Sequence, residues 1–167
     1  MQVQTRVSAS AGLDRPIPGR RRDDARLSTL MSSFGDLGGL VSSDEVVSLM
    51  RPYWRQPISM LARWIVTQQL VSFDWRGQLL LPLFQFERPR MTPRKSVVDA
   101  VRVLAEVLDG EAIALWFVEP NAWLRDEKPV LVALSEPAAL LEAALHARDS
   151  RRKTPALAFD RSYDCRA

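Results

Sequence analysis

The sequence predicts a mainly α protein, in which a helix–turn–helix unit with a small β-hairpin wing precedes a compact helical domain. Three observations carry this expectation. Apolar residues recur at helical spacing in several segments, each bounded by a proline or a capping residue. A polar segment containing Gly77 lies between two apolar runs, as a hairpin requires. The stretch "ALWFVEPNAWLRDEKPVLVALSEPAALLEAAL" is apolar along its length yet broken by three prolines, so it must fold as several short helices. With 167 residues and 47% apolar content, the chain suffices for one globular domain or two very small ones.

Residues 1–41 are rich in Ser, Gly, Arg and Asp and show no sustained period, so they read as a disordered leader. The glycines of "FGDLGGL" oppose a helix there. A helix–turn–helix and wing region is expected over 42–90. Ser42 and Glu45 have the spacing of a capping box, Val46, Val47 and Met50 give one apolar side, and Pro52 stops the helix near Arg51. Pro57 opens a second helix, whose core-facing stripe is Ile58, Leu61, Ala62 and Ile65. "VSFDWRGQLLLP" is the wing, with Pro82 at its edge, and "PLFQFERPRM" is a loop or short extended piece.

The helical domain is expected over 91–148. Thr92 is its candidate cap and Pro93 its opening residue. Val97, Val101, Leu104 and Leu108 run down one face, and Gly110 ends the helix. Short helices follow at about 111–118, from Pro129, and from Pro137 with Ser135 as candidate cap. Leu104 and Leu141 are assigned to the core of this domain. Residues 149–167 read as a flexible basic tail.

The catalytic inventory is thin. His146 is the only histidine, Cys165 is the only cysteine, and no base adjoins either. "GDLGG" lacks the lysine of a phosphate loop, and Glu106, Asp109 and Glu111 read as a solvated helix end. The expectation is a non-enzyme with no metal and no cofactor. The lone cysteine and the lack of a secretory signal or spanning segment make the cytoplasm the expected compartment, without a membrane partner. The net charge of +3 is compatible with nucleic acid, although the positive charge concentrates in "RPIPGRRR" and "DSRRK". If the second helix reads DNA, Gln68 and Gln69 would meet base edges and Arg55, Arg63 and Arg76 would meet phosphates. A helix–turn–helix that only packs a core stays open beside that reading.

Phe84-Gln85-Phe86, then a helix, then Trp116, Pro120-Asn121, Leu124, Pro129 and Leu140-Leu141 form an ordered set. This order resembles the toxin-binding domain of the Xre/MbcA/ParS antitoxin family, over roughly residues 79–147. That family has a glycine soon after the "WL" leucine, where this chain has "RDEK". The resemblance implies a RES-domain toxin as partner, an enzyme class that degrades NAD or transfers ADP-ribose from it. It also implies inhibition by occlusion of the toxin's cofactor cleft, and a helix–turn–helix that dimerises or binds operator DNA. Asn121, Trp123 and Arg125 are then the candidate partner surface, since Trp and Arg are favoured interface anchors. Trp123 as a core residue remains the alternative. By the same analogy the tail arginines Arg148, Arg151 and Arg152 would reach into the partner's cleft. The rival functions are a DNA-binding regulator without a toxin and a structural or adaptor domain.

Overall fold

The computed structural model describes residues 18–153, with side chains from Asp24 onward. Its architecture is mainly helical, with a small antiparallel sheet. Helix α1 (Pro18–Phe34) leads through a glycine turn into strand β1 (Leu40–Ser42). Helices α2 (Ser43–Met50) and α3 (Pro57–Val66) follow, then the hairpin β2 (Phe73–Trp75) and β3 (Gln78–Pro82). A second, two-residue ladder pairs β4 (Phe86–Glu87) with β5 (Thr92–Pro93). The remaining helices are α4 (Lys95–Leu104), α5 (Gly110–Val118), α6 (Pro129–Ser135) and α7 (Pro137–Lys153).

Local chemistry explains most of these boundaries. The Ser42 hydroxyl accepts the Glu45 amide at 3.3 Å and starts α2. Arg76 and Gly77 both take positive φ, 52° and 81°, which turns the hairpin in the direction that matches strand twist. Asp109 accepts the Ala112 amide at 2.8 Å and opens α5. Proline occupies the first turn of α3 and α6, where its missing N–H costs nothing.

The sheet, ordered β1-β3-β2, separates two cores. Successive side chains of a strand point to opposite faces. Leu79 and Leu81 of β3 therefore join Val46, Met50, Leu61 and Trp64 beneath α2 and α3. Leu80 turns the other way, with Phe73, toward the larger core of α1, α4, α5, α6 and α7. Gln85 fastens the two halves. It is fully buried (0% exposed), and its side chain pairs with the Val71 backbone like a strand residue. The Val71 amide donates to Oε1 at 2.7 Å and Nε2 donates to the Val71 carbonyl at 3.0 Å. The Arg94 amide donates to the Gln85 carbonyl at 2.8 Å, just before α4.

Several expectations need correction. Residues 18–41 are not an unstructured leader: Leu30 and Phe34 of α1 lie in the larger core, and β1 pairs with β3. The leader expectation for residues 1–17 lies outside the described residues. The larger core takes Leu30, Phe34, Val71 and Phe73 together with α4–α7, so it crosses the boundary drawn at 90/91. Residues 149–153 continue α7 rather than starting a tail, and 154–167 lie outside the described residues. Ile58 and Ala62 are exposed, and the buried side of α3 is Leu61 and Trp64, because the helix is apolar almost all round. Thr92 and Pro93 form β5 instead of capping α4, which begins after Arg94. Gly110 starts α5 rather than ending α4. A side chain there would place its Cβ 1.9 Å from the Ser72 carbonyl oxygen. Ser135 is the last residue of α6 and not the cap of α7. Leu104 is fully buried as expected, but Leu140, not Leu141, is the deep leucine of α7.

Candidate partner-binding surface

The corner between α5 and α6 is built on Asn121. Pro120 prevents α5 from continuing. The Asn121 Oδ1 then accepts the Trp123 amide at 3.0 Å and sets a one-turn helix over Ala122–Leu124. The Asn121 carbonyl accepts the amides of Leu124 at 2.9 Å and Asp126 at 3.0 Å, and the Asn121 amide donates to the Glu127 carbonyl at 3.1 Å. Arg125 and Asp126 close the loop with φ of 58° and 63°. These are left-handed conformations that glycine adopts more easily.

Within this turn the side chains divide. Leu124 is buried against Val132 and Ala143, with Trp116 and Ala139 packed beside them. Leu124 is thus the plug that seats the turn. Trp123 is 64% exposed. Its indole lies flat on the imidazole of His146, with ring centroids 3.6 Å apart and planes 1° from parallel. Arg125 donates from Nη2 to Glu136 Oε1 at 2.8 Å, which ties the turn to the end of α6. Leu131 and Leu134 of α6 are also exposed. Trp116 is half-buried and meets Phe117 edge to face.

Asn121, Trp123 and Arg125 are therefore brought together. The arginines of α7 are not brought to them. Arg148 and Arg152 both engage Glu106, beyond α4, and Arg148 also binds Asp149 at 2.8 Å. That hydrogen bond from Arg148, followed by nearby positive charge, holds the Asp149 carboxyl below its ordinary range. Arg151 lines a separate 310 Å³ hollow with Arg26, Glu111 and Trp116. The three carboxylates at the α4–α5 connection each have a structural role. Glu106 pairs with the α7 arginines, Asp109 caps α5, and Glu111 lies 3.7 Å from Arg26.

The residues proposed to read DNA are spread along the α3–hairpin region. Arg55 precedes α3 and Arg63 lies on it, both exposed. Gln68 and Gln69 lie beyond the helix, Gln68 with φ of 54°, and the Gln69 Nε2 donates to the Thr67 hydroxyl at 2.8 Å. Arg76 is at the hairpin tip, paired with Asp24 at 2.6 Å and resting over the Trp75 ring. Only Arg63 of this set projects from α3, and its neighbours Ile58, Ala62 and Val66 are exposed apolar residues.

Sequence reasoning missed His146, Glu136, Leu131 and Leu134 as members of the corner. "PVLVALS" is apolar at almost every position, so it carries no periodic signal to separate inward from outward residues. His146 and Glu136 enter only through tertiary packing. Among the described residues, no helix is long and apolar enough to cross a membrane. Comparison with protein-family models, curated proteins and solved structures finds no match for the chain.

Proposed function

We propose that the protein binds a partner protein through the Asn121–Glu127 corner, as an antitoxin-like inhibitor of a RES-domain toxin. The observation that carries this reading is Trp123. A tryptophan this exposed contributes little to the core, yet it is held in one orientation by a capped turn and a stacked imidazole. A rigid aromatic presented to solvent is what an interface anchor needs, because little side-chain freedom remains to be lost on binding. The ordered set from Phe84 to Leu141, with its resemblance to toxin-binding domains, supports the choice of partner.

Trp123→Ala tests the reading. It should weaken capture of a co-expressed RES-domain protein by ~30-fold or more, equivalent to at least ~2 kcal/mol, while thermal unfolding of the free protein barely changes. Arg125→Glu should do the same through charge reversal, since its exposed ion pair with Glu136 contributes ~1 kcal/mol or less to folding. Unchanged capture by both folded variants would remove this surface.

A second reading, operator binding, draws support from the order helix, strand, two helices and hairpin, the order of elements that a winged helix–turn–helix would use. Arg55, Arg63 and Arg76 are all exposed on that unit. The apolar outward side of α3 weighs against base reading, and DNA binding would have to weaken steeply with salt to support it.

A further inference from the structure

A cavity of about 410 Å³ lies between the glycine turn before β1, strand β4 and α6. That volume falls within the range of small-ligand sites. Its walls are apolar. Leu83, Phe84, Phe86 and Val130 line it, and Leu134, 61% exposed, stands at the mouth. Two arginines, Arg88 and Arg94, share the lining. The Arg94 side chain is only 27% exposed, yet none of its guanidinium contacts among the described residues is close. Nε and Nη2 donate to the Phe84 and Phe86 carbonyls at 3.5 Å each, well beyond the usual N–H···O distance of about 3 Å. Nη1 lies 3.9 Å from Glu87. Arg88 is exposed and forms no ion pair among the described residues.

We propose that this cavity binds a small carboxylate with an apolar tail, of the class of medium-chain fatty acids. A largely buried cation is costly unless an anion pairs with it, and Arg94 has only long contacts. A guanidinium carries five N–H donors in a fixed fork. Arg94 can therefore keep its carbonyl contacts and still present donors to a carboxylate, which matches the fork in shape. Arg88 adds a second positive charge to the same lining. The leucines, phenylalanines and Val130 receive the tail, and removing it from water supplies affinity that an ion pair near the surface lacks. An inorganic anion would leave those walls without a partner. An uncharged chain would leave Arg94 with its long contacts. This inference does not rest on the partner-surface reading, because it uses none of Asn121, Trp123 and Arg125 and concerns the protein alone.

Isothermal titration calorimetry of the full chain with octanoate tests it, with octanol, acetate and inorganic phosphate as the comparison probes. Saturable binding of octanoate is expected, at least ~10-fold tighter than that of any of the other three. Arg94→Gln should weaken octanoate binding at least ~10-fold, as loss of a charged hydrogen-bond partner does. Leu134→Glu should weaken it as well, by setting a carboxylate at the mouth, and Arg88→Gln should weaken it by removing the second charge. Arg88 and Leu134 are exposed, so these two variants keep the test open if Arg94→Gln fails to fold, and circular dichroism checks each. Val66→Asp, in a separate apolar groove between α2 and α3 that also holds Arg51, should leave binding unchanged. A wild-type chain that does not bind octanoate overturns the proposal. So does octanol binding as tightly, octanoate binding that survives the changes at Arg88, Arg94 and Leu134, or binding that Val66→Asp abolishes. Absence of octanoate binding together with loss of RES-domain protein capture in Leu134→Glu would assign the cavity to the partner interface, and would also overturn it.

Discussion

Gln85 shows how one side chain can do the work of a strand. Both of its side-chain polar atoms are spent on Val71, and its main-chain carbonyl receives the Arg94 amide, so three segments of the chain meet at one residue. Gln85→Leu keeps the size but leaves the buried Val71 amide and carbonyl unpaired. Each such group costs about 1–3 kcal/mol, so the variant should lose roughly 2–6 kcal/mol in urea unfolding. A loss below ~1 kcal/mol would mean that water replaces the amide. The sequence marked this residue only as the middle of "FQF". Nothing local distinguishes a buried glutamine from a surface one, because its partner lies fourteen residues upstream. The Asn121 cap was readable for the opposite reason, because the cap, the proline before it and the amide it accepts lie within three residues of one another, whereas the exposure of Trp123 was left open.

At the scale of elements, the turn after Leu124 is held in a conformation its residues do not prefer. Arg125 and Asp126 both adopt left-handed φ, at roughly 1–2 kcal/mol per residue for side chains of this hand. Asp126→Gly should therefore raise stability by about 1 kcal/mol, measured by thermal unfolding, with the Arg125–Glu136 pair untouched. Unchanged or lower stability would show that the turn is not strained at this position. Elements whose starts are fixed by proline or by a recognisable polar cap were legible: α2, α3 and α6 begin where those residues place them, whereas Asp109, the cap of α5, was read as part of a solvated helix end. The faces of α3 were not, since a helix with Ile58, Leu61, Ala62, Trp64, Ile65 and Val66 has no polar side to mark the outside. Strand β5 was not legible either, because Thr92-Pro93 has the chemistry of a helix start and only pairing with Phe86-Glu87 makes it a strand.

Across the whole molecule, α1 is the element that the sequence hid. Its inward residues are Leu27, Leu30 and Phe34, a narrow stripe in a helix otherwise made mostly of Arg, Asp and Ser. Charge density made it resemble a tail. Leu30 and Phe34 share the larger core with Val71, Phe73 and the inward residues of α4–α7. Leu30→Ala should therefore cost about 2–5 kcal/mol and lower the stability of the α4–α7 helices with it, in one cooperative transition. Separate transitions for the two halves, with the second at its wild-type midpoint, would show that they fold independently. The stack of Trp123 on His146 has a further consequence, in optics. Trp54, Trp64, Trp75 and Trp116 are buried or half-buried, so Trp123 is the one exposed indole among the described residues. An imidazole lying flat against it offers its excited state a route to decay without light. Whatever seats itself on this corner must either lift the indole from that ring or shield it from water, and in both cases the colour or brightness of the emission changes. The protein thus carries, at the position proposed to meet its partner, a reporter of that meeting that needs no added dye.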